Sequence, residues 1–156
     1  MGSQYKVCCF KSKKKGLGAS ADTLMDAYQL YVRSVLELAV PLWAGAITTK
    51  NSQDIEAVQI TCFKLIFGQD FRNYEHSLKR TGMGTLATRR DELCLKFAKK
   101  CLKNKNFKHW FQARESLTTR SGKKFNEPEG KTKRYLTSSI PHLTRLLNSN
   151  QNPTVQ

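Results

Sequence analysis

Between residues 20 and 111 the apolar positions recur with the period of an α-helix, in blocks separated by clear breaks. The first block is "SADTLMDAYQLYVRSVLELAV". At about 100° per residue it places Leu24, Ala27, Tyr28, Tyr31, Val32, Val35, Leu38 and Ala39 on one face. Asp26, Gln29, Arg33 and Glu37 fall opposite. Ser20 is suited to cap this helix, Asp22 suits its first turn, and Pro41 is expected to end it. "PLWAGAITTKN" reads as a connector whose Trp43 and Ile47 plug the end of a core. A second helix is expected from Ser52 to Phe67, with Ile55, Val58, Cys62, Leu65 and Ile66 inward and Gly68 as its C-cap. A short helix, Asn73 to Arg80, precedes "TGMG", where Gly82 and Gly84 supply flexible backbone.

Thr85 then caps a long helix predicted to reach Lys103. Leu86, Leu93, Cys94, Phe97 and Cys101 cluster on one side of it, and Leu95, Ala98 and Leu102 on an adjoining side. Arg89, Lys96, Lys99 and Lys103 occupy the remaining strip, with Lys100 at its edge. So wide an apolar arc predicts a helix central to its bundle, with one cationic band in water. Arg90 falls inside the apolar arc, where an Arg needs a partner; Glu37 and Gln59 are both candidates.

Beyond Asn104, "FKHWF" predicts a turn of aromatics over the bundle end. Residues 112–134 are polar, basic and poor in large apolar groups, the composition of a mobile segment. "YLTSSIPHLTRLLN" predicts one short helix after Pro141, near 141–148, and "SNQNPTVQ" a disordered end. No strand alternation or internal repeat is visible. The expected fold is all-α. It consists of a small helical bundle over 20–111, a basic flexible arm over 1–19 and a largely irregular basic tail over 112–156.

Charge changes the picture most. The chain holds 27 Lys plus Arg against 12 Asp plus Glu, net +15. Residues 22–88 carry six basic and seven acidic side chains, whereas 89–156 carry sixteen against five. A neutral middle with basic ends predicts a packed module with a polyanion-binding face. At 39% hydrophobic, 156 residues support one domain with a modest core. No apolar run reaches the roughly 18 residues of a membrane span, and the basic start lacks the apolar stretch of a signal peptide. Five cysteines without framework spacing read as reduced thiols, so an intracellular location, nucleus or cytoplasm, is expected. Gly2, Cys8-Cys9 and "KSKKK" together resemble an acylated basic arm, but Lys6 stands where the myristoylation pattern wants Ser or Thr. An import or nucleic-acid patch is the preferred reading of that arm.

Candidate chemistry narrows to one class. Cys94 and Cys101 are seven apart on a helix, about 10 Å along the axis, too far to share one tetrahedral Zn, and they read as core residues. Cys62, His76 and His109 show no ligand spacing. There is no phosphate loop, nucleophile–His motif or carboxylate pair, so neither metal, cofactor nor catalytic residue is assigned. What remains is the band Arg89, Lys96, Lys99, Lys100 and Lys103, extended by Lys105 and Lys108, about 20 Å long and able to track phosphates. Trp110 and Phe111 are candidates for base stacking, although Trp110 is read as a core cap first. "RSGKKFNEPEGKTKR" is expected to add mobile contacts.

Four stretches in order, "YVRSVLELAVPLW", "DIEAVQITCFKLIFG", "NYEHSLKRTGMGTLATRRDELCLKFAKKCLKNKNFKHWF" and "KTKRYLTSSIPHLTRLLN", carry a resemblance. They resemble the region downstream of the polymerase core in reverse transcriptases of jockey-like non-LTR retrotransposons. "TLATRRDELCLKFAKK" is the most specific part, and the likeness spans about Leu17 to Asn148. It implies a polymerase thumb and its extension, helical and gripping template–primer duplex, with Arg89, Arg90, Lys96, Lys99 and Lys100 on the gripping helix. The catalytic palm with its paired aspartates is absent, and no "DD" occurs, so no polymerase activity is expected; a palm encoded upstream would supply it. Ile60-Thr61 stand where the family carries a Lys-Arg pair, and "MGSQYKVCCFKSKKK" departs from it, which suggests a new start codon or an altered reading frame.

The expected function is therefore non-catalytic binding of RNA, DNA or hybrid duplex through the backbone. A helix-turn-helix regulator is the first alternative, since the short helix, "TGMG" and the long basic helix have roughly that outline. A protein-interaction or inert remnant of a mobile element is the second.

Overall fold

The computed structural model of the protein describes residues 20–114 and 123–150; the arm over 1–19, part of the basic tail and the last six residues lie outside them. The described residues are mostly helical and contain one isolated antiparallel bridge, Ala113 with Phe125. The fold is all-α, as the periodicity predicted. The helices are α1 (Ala21–Ala27), α2 (Ser34–Leu36), α3 (Val40–Trp43), α4 (Thr49–Phe67), α5 (Tyr74–Thr81), α6 (Leu86–Lys103), α7 (Lys133–Leu136) and α8 (Ser139–Ser149). They belong to two compact units rather than the single bundle expected over 20–111. Among the described residues, one contains 20–38 and 49–87, the other 39–48, 88–114 and 123–150.

In the first unit α1 runs through a π-helical segment, Tyr28–Arg33, into α2. Ser20 caps it, its side chain accepting from the Thr23 N–H at 3.2 Å. The π-segment bonds i to i+5 and turns less per residue than the 100° assumed from sequence. The predicted apolar face therefore splits. Tyr28 and Val32 are buried, but Tyr31 is 72% exposed, and Val35, Leu38 and Ala39 also face water. Ala39 closes this stretch in the left-handed region, φ 52°. Pro41 does not terminate a helix but sits in the first turn of α3, where its missing N–H costs nothing.

The core of this unit is Tyr28, Val32, Cys62, Phe63 and Ile66. Phe63 meets Tyr28 edge-on at 5.8 Å and Tyr74 at 6.1 Å, and its full burial contributes about 1.5–3 kcal/mol. Phe63 and Gln59 were absent from the predicted inner face of α4, while Val58, which was included, is exposed. The Gln59 amide donates to the Gly84 carbonyl at 3.4 Å, so its polar end is satisfied inside. Asn73 caps α5, its Oδ1 accepting from the His76 N–H at 2.6 Å, and Gly82 closes that helix with φ 64°. Glu56 ties three elements together: its Oε1 accepts from the Tyr74 hydroxyl and, at 3.1 Å, from the N–H of Leu86. A carboxylate on the first N–H of α6 satisfies an orphan donor and complements the helix dipole.

The second unit packs α3, most of α6, α7 and α8 around Val40, Ala44, Cys94, Ala98, Cys101, Phe111, Leu143 and Leu147. Trp43 packs against this core as expected. Residue 45 must be glycine for a steric reason. A Cβ there would lie 2.5 Å from the Thr137 carbonyl oxygen and 2.7 Å from the His142 Cβ, so its absence lets α8 touch the 3-10 segment Ala44–Ala46. The Ser139 hydroxyl adds a 2.9 Å bond to the Leu42 carbonyl.

The tail departs most from expectation. The helix predicted after Pro141 begins two residues before it, at Ser139, because proline is tolerated in a first turn. Its Leu143 and Leu147 are core residues, not part of an irregular tail. The segment 123–134, expected to be mobile, is pinned at Phe125. Asn148 accepts from the Phe125 N–H and donates to its carbonyl, both at 3.1 Å, and the Phe125 ring meets Phe111 at 6.4 Å.

Candidate nucleic-acid interface

α6 keeps the division its sequence predicted. Leu86, Cys94, Ala98 and Cys101 are buried, and Leu93, Leu95, Phe97 and Leu102 partly so. Lys96, Lys99, Lys100 and Lys103 are exposed. Arg89 is half-exposed and pairs with Glu92 at 3.4 Å, a solvent-facing contact worth at most about 1 kcal/mol. Arg90 is 7% exposed, inside the apolar arc where its angular position put it.

Arg89, Lys96 and Lys103 recur every seven residues, so they form a row along the helix, about 21 Å from first to last. Lys99 and Lys100 flank this row. Lys96 with Lys100, and Lys99 with Lys103, are like-charge pairs one turn apart, each destabilising by about 0.2–0.5 kcal/mol. Lys100 and Lys103 lie in the last turn, where cations favour the helix dipole by about 0.3–1 kcal/mol each. The helix thus tolerates its own crowding but gains when an anion relieves it. Lys105 and Lys108 are exposed too and carry the row into the turns beyond the helix.

Charge follows the structural division. The described residues of the first unit carry six basic and seven acidic side chains, those of the second fifteen and four, a net of +11. Arg145 donates to the Leu136 carbonyl at 2.6 Å, and Lys123 meets Glu127 at 2.9 Å, so these two cations are engaged within the fold.

Of the two rings considered for stacking, Phe111 is buried in the core, and Trp110 is half-buried against it. The exposed ring is Phe107, which periodicity did not single out because it lies past the helix end, in a turn where the 100° rule lapses. The one available signal was its place between Lys105 and Lys108.

The described cysteines, Cys62, Cys94 and Cys101, behave as core groups. Burial pushes the Cys62 thiol up to about 11, and burial aided by Asp91 does the same for Cys94, so both are protonated at neutral pH. Cys101 shifts in the same direction for the same reason. Among the described residues no three His, Cys, Asp or Glu side chains converge as a metal cluster would require, and no helix is long and apolar enough to cross a membrane. The N-terminal acylation pattern lies outside the described residues.

Comparison of the chain with protein-family models, curated proteins and solved structures yields no match.

Proposed function

We propose that the protein binds nucleic acid without catalysis, gripping the sugar-phosphate backbone along α6 and the turns that follow it. The observation that carries this reading is the solvent-facing row of cations on a helix whose opposite flank is core. The helix spaces Arg89, Lys96 and Lys103 over about 21 Å, a length that a run of phosphates can match, and binding would release counterions. The resemblance to a reverse-transcriptase thumb supports the same role, with template–primer or another duplex as ligand and the catalytic palm on a separate segment. A reducing compartment, nucleus or cytoplasm, belongs to this proposal and is supported by the buried free thiols at Cys62, Cys94 and Cys101.

The backbone reading is preferred to a helix-turn-helix regulator because of where the charges fall. A recognition helix reads bases with its N-terminal residues. Here that half of α6 presents Asp91 and Glu92 beside one half-exposed cation, Arg89, which pairs with Glu92, and the lysines follow from residue 96 onward. Titration of a fluorescent RNA–DNA hybrid at two salt concentrations tests the proposal. Affinity should fall steeply with salt, and equal affinity at both would rule it out.

A further inference from the structure

We infer that the turn after α6 is a nucleobase-stacking platform, formed by Phe107 backed by Trp110, which favours nucleic acid with unpaired bases over blunt duplex. This rests on the nucleic-acid reading above and names the ligand class of that same site.

Three observations converge on it. Phe107 is 39% exposed, although Trp110 and Phe111 beside it already cover the core. The Phe107 and Trp110 rings lie 4.8 Å apart at 48°, and His109 meets Trp110 edge-on at 6.2 Å, so the exposed ring is backed by a second ring that is itself held by the core. The backbone beneath is fixed. The N–H groups of Phe107 and Lys108 both donate to the Asn104 carbonyl, at 3.1 and 3.0 Å, and Trp110 N–H donates to Phe107 at 3.1 Å. The Asn104 side chain accepts from the Asn106 N–H at 2.9 Å.

A preorganised ring loses little entropy when a second ring stacks on it. The neighbours determine what that second ring is. Lys105, Lys108 and His109, near Phe107 in sequence, are exposed, and the lysine row of α6 precedes this turn. An exposed apolar ring with Lys105 and Lys108 close by in sequence suits a flat base attached to an anionic backbone. A paired base offers only its edge except at a duplex end, so a blunt duplex presents one face at each end whereas every base of a single strand or overhang is open to stacking, and unpaired bases are favoured. Every base has a π-face, so the platform would be tolerant of sequence.

The test uses the full chain and two fluorescent probes, a short single-stranded oligonucleotide and a blunt duplex, in a binding titration at one low salt concentration. Phe107→Ala should weaken single-strand binding about tenfold or more, and much more than it weakens duplex binding. Phe107→Tyr keeps an aromatic face and should restore the single-strand affinity. Phe107 lies at the surface, so circular dichroism should show both variants folded. Wild-type-like single-strand binding by Phe107→Ala, or equal losses on both probes, would overturn the platform while leaving salt-dependent backbone binding intact. A wild-type protein that binds neither probe would overturn both readings.

Discussion

Replacing Lys96, Lys99 and Lys103 together by alanine isolates the α6 row from the rest of the molecule. All three side chains are exposed, so no core contact is lost. The variant removes like-charge repulsion of about 0.2–0.5 kcal/mol in each of the pairs Lys96–Lys100 and Lys99–Lys103, and it introduces the best helix former three times. It also gives up about 0.3–1 kcal/mol of dipole stabilisation at Lys103. The gains offset that loss, so the folded state should be at least as stable as wild type. Binding should not be. Six exposed lysines run from residue 96 to 108, and if each neutralises one phosphate, log K falls with log salt at a slope of about −5.4 on duplex DNA. The variant retains three, for a slope of about −2.7. Raising salt from about 50 to 200 mM should therefore cost wild type on the order of a thousandfold in affinity, and the variant only some fortyfold. Fluorescence anisotropy at four or more salt concentrations measures both slopes directly. An unchanged slope in a folded variant would refute the assignment of these lysines to phosphates and favour a protein-interaction or inert remnant.

Arg90→Ala should do the opposite, lowering the urea midpoint through lost packing while leaving the salt slope unaltered, because the side chain is buried. Gly45→Ala should destabilise by about 1–3 kcal/mol, since its Cβ would overlap the Thr137 carbonyl and the His142 Cβ; a wild-type urea midpoint would contradict that packing. His142 is held below the usual imidazole range mainly by burial, with Arg145 acting in the same direction and Asp91 opposing. A folded-state pKa below the unfolded one means that the unfolded chain takes up the proton first as pH falls. Stability should therefore drop from about pH 7 toward pH 5, and more so in wild type than in a His142→Gln variant; parallel urea midpoints for the two would refute it.

Periodicity located the helices well where a single regular helix carried the pattern. α6 begins and ends where its sequence indicated, its Cys94 and Cys101 proved to be core, and its lysines proved to be solvated, because each of these depends only on angular position about one axis. The same reasoning failed around Tyr31 and Val35, where a π-segment changed the angle per residue, and at Phe63, which lay outside the stripe counted from neighbouring residues. Composition misled for the tail. Of the residues 112–134 expected to be mobile, 115–122 lie outside the described residues; at Phe125 the Asn148 side chain bonds both backbone groups, and α8 completes a core that begins with Val40.

What the amino-acid order determined alone was local: helical type, caps such as Ser20 and Asn73, and the segregation of apolar from cationic flanks along α6. What only the tertiary structure decided was which distant segments share a core. That choice assigned residues 39–48 to the unit containing α6 and α8, buried Phe111 and left Phe107 in water. The physical reason is that burial depends on contacts between residues far apart in sequence, and no pattern within one helix reports which partner will cover it.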